Sequence, residues 1–302
     1  MARTVLVLIC LAVAAAGCGG GNGAEGEERT DVVAAFYPLA WAAERIGGDG
    51  VRVRNLTRPG TEPHDLELSP RDVEEIRSAD VVLYLGAGFQ PAVEDAVDGA
   101  DGEAVDLLAG QKLFAGEPHE DEDEGGHDDD GEQHEDEQDP HVWLDPTRMS
   151  AIVDEIAAAV GARAGADELK QELAALDADF RDGLADCRRR ELVTSHAAFG
   201  YLARRYGLEQ IAITGVSPEA EPTPRDLEEV VEHVRETKAT TIFFETLISP
   251  RLAETVARET GAETAVLDPL EGIAQDDLDR GADYLSVMRE NLASLRRGLG
   301  CR

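Results

Sequence analysis

The amino-acid sequence predicts an α/β protein of two lobes, each with a parallel sheet flanked by helices, joined by a long helix. Its 302 residues fit two domains of ordinary size. In both halves, short apolar runs alternate with segments of helical periodicity, which is typical of parallel βαβ units. Between the halves lies a helical pattern of roughly 30 Å, which is long enough to cross from one lobe to the other.

The first lobe is assigned to residues 31–147. Short apolar runs predict buried strands at 31–36, 51–56 and 81–86. Amphipathic spacing predicts helices at 39–46 and 69–79, and the first of these ends at a pair of glycines. Strands that alternate with helices in this way favour a parallel sheet covered by helices.

Residues 148–190 are predicted to be a helical linker. Apolar residues recur at helical spacing from Met149 to Val160, and a break bounded by glycines follows at 161–165. A second series of apolar positions then marks a long helix over 167–188. This helix is the predicted bridge between the lobes.

The second lobe, residues 191–302, repeats the pattern of the first. Strands are predicted at 192–195, 210–214, 241–244 and 264–267. Helices are predicted at 196–206, 223–238, 250–260 and 276–299. The chain therefore reads as two matched α/β halves.

The charge balance excludes whole classes of partner. There are 28 Lys and Arg residues against 63 Asp and Glu, a formal net charge of −35. A protein that binds nucleic acid needs a basic surface for the phosphates, so we expect no nucleic-acid partner. The acidic balance favours cationic ligands instead. Beyond the N-terminus, no apolar stretch approaches the ~20 residues of a membrane span.

The first residues have the pattern of an export signal. Arg3 precedes an apolar run that ends in small residues, which predicts a signal peptide over 1–17. Ala15-Ala16-Gly17-Cys18 resembles a bacterial lipobox, although Ala15 stands where Leu is usual. We therefore expect a lipid on Cys18, a flexible tether at 18–30 and an extracytoplasmic protein held to the membrane by lipid alone. An ordinary secretory signal cleaved near Ala16 is the alternative.

Two cysteines remain once Cys10 leaves with the signal and Cys18 carries lipid. Export to an oxidising compartment would permit a disulfide between Cys187 and Cys301. Such a bond would tie the C-terminal end to the linker. Two separate thiols are the alternative.

Residues 116–139 form an acidic segment without Lys or Arg. It repels itself and has little to bury, so we expect a disordered loop. The segment holds His119, His127 and His134, three of the seven histidines, and His-rich tracts are typical of weak auxiliary metal sites. A solvated acidic linker with no metal role is the alternative.

Four candidate metal ligands lie in separate loops, two from each half: His64, His141, His196 and Asp268. Each follows an apolar run or adjoins a turn that contains proline, where α/β folds present binding groups. Together they would place a site in the cleft between the lobes. Taken singly, a structural role is the commoner explanation for each histidine, and spacing alone does not show that the four converge.

Three further acidic residues could serve the same site. Glu245 follows the predicted strand at 241–244 and competes with Asp268 for the fourth ligand position. Its alternative role is to accept a hydrogen bond. Asp65 and Asp145 are candidates to orient imidazole N–H groups, which metal-bound histidines usually require. Capping of a helix or turn is the alternative for both.

Five segments together resemble a known family, the ZnuA/TroA-like solute-binding lipoproteins of bacterial ABC importers for zinc and manganese. They are Phe36-Tyr-Pro-Leu-Ala40, Pro63-His-Asp, Asp139-Pro-His-Val-Trp-Leu-Asp-Pro146, Ser195-His-Ala-Ala-Phe-Gly-Tyr201 and Leu267-Asp-Pro-Leu-Glu-Gly272. The resemblance implies a rigid helix between the lobes, limited closure on binding, and delivery of metal to a permease that works with a cytoplasmic ATPase. It also implies that His64, His141, His196 and Asp268 are the ligands. We expect a monomer.

The donor set favours zinc over manganese as the transported ligand. In this family, manganese members generally carry a carboxylate where this chain has His196. Zinc accepts three imidazoles and one carboxylate in a tetrahedron, whereas manganese prefers oxygen ligands and a higher coordination number. Manganese import remains the alternative.

Two other classes of function are open to the same fold. One is a metal-binding adhesin or an extracellular zinc buffer. The other, a zinc hydrolase, is disfavoured because four protein ligands leave no open coordination position. The sequence also contains no HExxH segment and no glycine-rich phosphate loop. We therefore expect a binding protein and not an enzyme.

Overall fold

The structure is a computed structural model that describes residues 29–115 and 138–302. The first lobe holds a parallel sheet of β1 (Thr30–Ala34), β2 (Val51–Asn55), β3 (Val81–Tyr84) and β4 (Glu103–Asp106). Its strands lie in the order β2-β1-β3-β4. The helices of this lobe are α1 (Tyr37–Gly47), α2 (Pro70–Ser78) and α3 (Pro91–Val97). All three have proline in the first turn, where its missing N–H leaves no helical hydrogen bond unmade.

Two consecutive helices follow, α4 (Pro146–Val160) and α5 (Arg163–Gly183). Gly161 separates them in a left-handed conformation, with φ of 71°, which glycine adopts without steric cost. The 21 residues of α5 give it a length of about 30 Å.

The second lobe repeats the first. Its parallel sheet contains β5 (Glu191–Thr194), β6 (Glu209–Ala212), β7 (Thr241–Phe244) and β8 (Glu263–Val266), in the order β6-β5-β7-β8. Its helices are α6 (Gly200–Tyr206), α7 (Pro224–Thr237), α8 (Arg251–Thr260), α9 (Gln275–Asp279) and α10 (Tyr284–Leu299).

The predicted fold class is confirmed, including the long helix between the lobes. Helix α5 buries Leu169, Leu173, Leu176 and Phe180. It packs against α1, α4 and α10, and α10 belongs to the second lobe. One hydrophobic core therefore extends from Val32 in β1 to Leu299 in α10, and the second lobe holds a smaller, separate core around Val193 and Ile242.

The strand order determines where a ligand can bind. In each sheet the order reverses between two central strands, β1 and β3 in the first lobe and β5 and β7 in the second. Open parallel sheets bind ligands beyond the carboxyl ends of their strands at such a reversal. The two lobes place these ends around one cleft.

Several element predictions differ from the structure. Strand β4 and helix α3 were not predicted, because β4 is a short edge strand with two exposed residues and α3 has only seven. The helix predicted at 276–299 is two helices, since Gly281 takes φ of 86° and Asp283 caps a new start. The helix predicted at 196–206 begins only at Gly200, which leaves His196 in an irregular segment.

A disulfide joins Cys187 to Cys301 and links the segment after α5 to the C-terminal end. Within residues 29–115 and 138–302, no helix combines the length and apolar character needed to cross a membrane. The predicted signal peptide, Cys18, and the histidines of the acidic segment lie outside the described residues. The predicted domain boundaries stay predictions.

Candidate metal site

Four side chains from both lobes converge in the cleft: His64, His141, His196 and Glu271. One donor atom from each lies within 4.8 Å of the others. Glu271 Oε1 is at the centre of the contacts, at 3.3 Å from His64 Nε2 and 3.2 Å from the Nε2 atoms of His141 and His196. His141 Nε2 and His196 Nε2 are 3.4 Å apart.

Four of the six separations among the donors match a tetrahedral zinc site. With Zn–N and Zn–O bonds of about 2.0–2.1 Å, the donor atoms of a tetrahedron lie ~3.3 Å from one another. The three separations from Glu271 Oε1 and the one between His141 and His196 fall close to that value. His64 lies within 4.8 Å of the other two imidazole donors, so the group could close around one small ion.

The site is closed to solvent except near His64. His141 and His196 are 0% exposed and Glu271 is 1% exposed. The His64 side chain keeps 9% of its surface accessible. His64 is therefore the most exposed of the four donor residues.

Carboxylates orient two of the imidazole rings. His141 Nδ1 lies 2.7 Å from Asp139 Oδ1, which also accepts from the His141 backbone N–H at 2.9 Å. His196 Nδ1 lies 2.6 Å from Glu245 Oε1. Because an ionised carboxylate only accepts, each Nδ1 is the donor, and each Nε2 faces the site.

His64 is fixed through its own loop. Glu62 Oε1 accepts from the His64 backbone N–H at 2.9 Å. Gln90 Nε2 donates to the carbonyl of Pro63, at 3.2 Å. The edge of the His64 ring meets the face of Phe89, with 4.6 Å between the ring centroids. The backbone and the ring are thus held without a carboxylate on Nδ1 in the described residues.

The electrostatics of the site favour a cation at its centre. Burial alone would lower the pKa of His196, but the charges of Glu245 and Glu271 outweigh it and raise this pKa well above its ordinary value. Burial would raise the pKa of Glu271, yet His196 and the other two imidazoles hold it well below the usual range. A buried proton on His196 therefore balances the carboxylates when no ion is bound.

The pKa values of His64 and His141 are shifted in opposite directions. Burial lowers the pKa of His64, and the single contact with Glu271 does not compensate. Burial also acts to lower the pKa of His141, but Asp139 and Glu271 together raise it. His64, at the open side of the site, is thus the imidazole most readily available as a neutral ligand.

The donor group differs from the predicted ligand set at the fourth position, because Asp268 lies outside the group and Glu271 lies in it. The Asp268 carboxylate accepts from the Leu270 N–H at 2.8 Å and from Thr246 Oγ1 at 3.0 Å. Burial raises the pKa of Asp268 to about 6. Its short side chain is committed to the turn that presents Glu271.

The remaining acidic candidates also have defined places. Glu245, the alternative fourth ligand, is the hydrogen-bond acceptor of His196 and is not among the four donors. Asp65 is exposed, with its backbone N–H bonded to Glu62, and Asp145 caps α4 by accepting from the Thr147 N–H. The ring of His141 is oriented instead by Asp139, which sequence reasoning had not singled out.

A signal for both missed residues was present in the sequence. Asp139 and Glu271 lie inside two of the quoted segments, Asp139-Pro-His141 and Leu267-Asp-Pro-Leu-Glu271. Metal-bound imidazoles often donate their outward N–H to a carboxylate, and a carboxylate also serves as a zinc ligand. Every acidic residue within a few positions of a candidate ligand was therefore a candidate as well.

The chain matches a known protein family over nearly all of its described length. The family model described as zinc-uptake complex component A, periplasmic, matches residues 32–298. The zinc-binding lipoprotein AdcA of Streptococcus pneumoniae is 36% identical over 284 residues, which cover 90% of this chain and 56% of that protein. The chain thus spans about half the length of this relative.

Solved structures show the same likeness. The Zn(II)-bound ZnuA-like domain of S. pneumoniae AdcA is 32% identical, with a TM-score of 0.73 over 90% of this chain and 99% of that one. The laminin-binding protein Lmb of Streptococcus agalactiae, described as bifunctional with adhesin and metal-transporting activity, is 29% identical. Its TM-score is 0.78, over 90% of this chain and all of that one. By the extent of the family match, this chain belongs to the zinc-uptake complex component A family.

Proposed function

We propose that this protein captures Zn²⁺ outside the cytoplasm and delivers it to the permease of an ABC importer that works with a cytoplasmic ATPase. The observation that carries the proposal is the group of His64, His141, His196 and Glu271, in which four of the six donor separations match the edges of a zinc tetrahedron. We assign these four residues as the ligands. The zinc ion is cargo, held and released without chemical change.

The donor chemistry supports zinc over manganese. Three imidazoles and one carboxylate suit zinc, whereas manganese prefers more oxygen donors and a higher coordination number. In the described residues the group offers four donor atoms, which match the coordination number of zinc and fall short of the higher number that manganese prefers. Manganese remains the alternative cargo that the binding experiment below addresses.

The same geometry supports a binding protein over an enzyme. A catalytic zinc site keeps a coordination position for water or substrate. Here four protein donors would fill a tetrahedron, and three of them are almost fully buried. We therefore propose that the site holds its ion without hydrolytic turnover.

For location we propose a lipoprotein anchored through Cys18 and working as a monomer. The sequence pattern around Cys18 and the description of the AdcA relative as a lipoprotein support this. The disulfide between Cys187 and Cys301 suits an oxidising compartment outside the cytoplasm. The acidic His segment at 116–139 would add weak zinc sites near the permease.

Adhesion is a second candidate function, because the Lmb neighbour is described as both an adhesin and a metal transporter. A strain that lacks the protein distinguishes the two functions. Loss of an importer component should limit growth when zinc is scarce, and added zinc should restore it. Loss of an adhesin should reduce attachment to laminin without a growth defect. An unimpaired deletion strain in zinc-depleted medium would contradict the importer proposal.

Calorimetry tests the ligand assignment. The full chain and a variant without residues 117–137 would be titrated with zinc and with manganese. Since Ala115 pairs with Gln138, a short linker can close the gap. We expect one tight zinc site in both proteins, weak manganese binding, and additional weak zinc sites in the full chain alone.

The ligand variants are His196→Ala and Glu271→Gln, with His233→Ala on α7 as the matched histidine control. We expect both ligand variants to lose at least about 100-fold in zinc affinity, since even residues that only support a ligand contribute 10- to 100-fold. His233→Ala should bind as the unmodified chain does. Tight binding by Glu271→Gln would return the fourth position to Asp268 or Glu245.

A further inference from the structure

Trp143 connects the two lobes immediately beside the four donors. It lies two residues after His141 and is 0% exposed. Its indole Nε1 donates a hydrogen bond of 2.7 Å to the carbonyl oxygen of Pro269, which lies two residues before Glu271. A single rigid side chain thus links the backbone next to a first-lobe donor to the backbone next to a second-lobe donor.

A second hydrogen bond crosses the cleft at the same residue. The carbonyl oxygen of Trp143 accepts from the hydroxyl of Tyr284, at the start of α10. Tyr284 in turn stacks on Trp41 of α1, with 4.8 Å between the ring centroids and an angle of 23°. Both hydrogen bonds of Trp143 thus go to the second lobe, whereas its ring packs against Phe36 and Phe89 of the first lobe.

The loop that carries Glu271 is itself under constraint. Leu270 is buried and has φ of 57°, a left-handed conformation that favours glycine. Asn291 of α10 pairs with both the N–H and the carbonyl of Asp268, at 2.8 and 2.6 Å. These contacts shape the loop within its own lobe, and the bond to Trp143 sets its distance from the other lobe.

We propose that Trp143 is a positioning residue that fixes Glu271 relative to the imidazoles of His64 and His141, and that it thereby selects zinc over manganese. This inference rests on the proposed zinc function. The donors already lie 3.2–3.3 Å from Glu271 Oε1, the edge length of a tetrahedron around zinc. A loop free to move outward would lengthen these edges and admit water as a further ligand, which favours manganese.

The test compares two variants of the full chain that each lose one buried hydrogen bond to a backbone carbonyl. Trp143→Phe keeps an aromatic ring but removes the donor to Pro269, which crosses between the lobes. Ser294→Ala is the control, because it removes the donor to the carbonyl of Val266, a bond of 2.6 Å that lies within the second lobe. Zinc and manganese affinities come from competition with chelators, and Co²⁺ absorption reports the coordination geometry.

For Trp143→Phe we expect zinc affinity to fall by about 10- to 100-fold, the range found for residues that orient ligands. Manganese affinity should fall less or rise, so the zinc-to-manganese ratio drops. The visible Co²⁺ bands should weaken, since tetrahedral Co²⁺ absorbs far more strongly than six-coordinate Co²⁺. Ser294→Ala should keep both the ratio and the bands of the unmodified chain.

Three outcomes would overturn the inference: identical ratios in the two variants, equal losses for both metals, or an unchanged Co²⁺ spectrum in Trp143→Phe. Failure of the unmodified chain to bind zinc tightly would instead refute the proposed function. Should Trp143→Phe not fold, Tyr284→Phe removes the other crossing bond and leaves the indole in place. Tyr284→Phe should also lower the zinc-to-manganese affinity ratio, and an unchanged ratio in this variant would count against the inference.

Discussion

At the scale of single residues, the fourth donor depends on two carboxylates three positions apart. Asp268 follows β8 closely and its short side chain bonds to the N–H of Leu270. Glu271 is one methylene longer and comes after the turn, so its carboxylate reaches all three imidazoles. Sequence reasoning placed the carboxylate in the loop that also holds Glu271. The turn geometry that decides between the two residues is visible only in the fold.

Zinc binding should release a proton, because His196 must lose its Nε2 proton before it can bind the ion. Glu245 and Glu271 raise the pKa of His196 well above its usual value, so the metal-free site holds this proton at neutral pH. We expect at least one proton released per zinc near pH 7, since the pKa of His141 is raised as well, and affinity that falls as the pH is lowered. Titration calorimetry in two buffers of different ionisation enthalpy measures the number of protons released. Equal heats of zinc binding in the two buffers would contradict a protonated His196 in the metal-free site.

The same groups predict how the stability of the metal-free protein varies with pH. The raised pKa of His196 contributes stability that is complete below about pH 6.5, its unfolded value, and is lost as the pH rises through the folded value. The lowered pKa of Glu271 contributes stability that is present above about pH 4.3 and is lost on acidification below it.

Thermal melts should therefore show that the metal-free protein loses stability between pH 6 and 9, whereas the zinc-loaded protein does not. Zinc supplies the positive charge that the proton otherwise provides. Glu245→Gln should reduce the alkaline loss, because one of the two carboxylates that raise the pKa of His196 loses its charge. A metal-free protein equally stable at both pH values would refute this account.

At the scale of elements, helix starts and ends are set by the needs of the site and of packing. Helix α6 begins at Gly200 and not at 196, which leaves His196 in the irregular segment that turns its ring toward Glu271. Helix α5 approaches α1 so closely that a Cβ on Gly165 would lie 2.3 Å from the carbonyl oxygen of Ile46. Apolar periodicity predicted that these helices exist. It did not predict the start of α6 at Gly200 or the close approach of α5 to α1.

Gly165→Ala should therefore destabilise the protein by about 1–3 kcal/mol, as overpacking typically does, since backbone atoms must move apart. Gly183→Ala at the other end of α5 is the matched control. There the nearest atoms belong to the flexible side chain of Leu292, at 3.0 Å. We expect this control to be close to neutral in urea denaturation. Equal effects would show that the α1–α5 contact can relax.

At the scale of the whole molecule, the two lobes are joined by α5, by one continuous core and by the disulfide. The disulfide closes a stretch of 114 residues that includes nearly all of the second lobe. Its constraint on the unfolded chain is therefore large. The backbone adds two further ties at the C-terminal end, from Arg302 N–H to Asp186 and from Arg189 N–H to Leu299.

Replacing Cys187 and Cys301 together by serine should lower the free energy of unfolding by about 2–5 kcal/mol. Zinc affinity should stay the same, because neither cysteine is among the four donors. Denaturation and zinc titration of the same preparations measure both quantities. A large loss of affinity would show that the disulfide also holds the lobes in register at the cleft.

The sequence by itself determined the α/β class, the two matched lobes, the long helix between them and three of the four residues in the donor group. Periodicity and loop position suffice for these, since they depend on local patterns of burial. Only the tertiary structure decided which carboxylate completes the group, which carboxylates orient His141 and His196, and how Trp143 joins the lobes. These depend on distances of about 3 Å between residues as many as 207 positions apart, which no local pattern encodes.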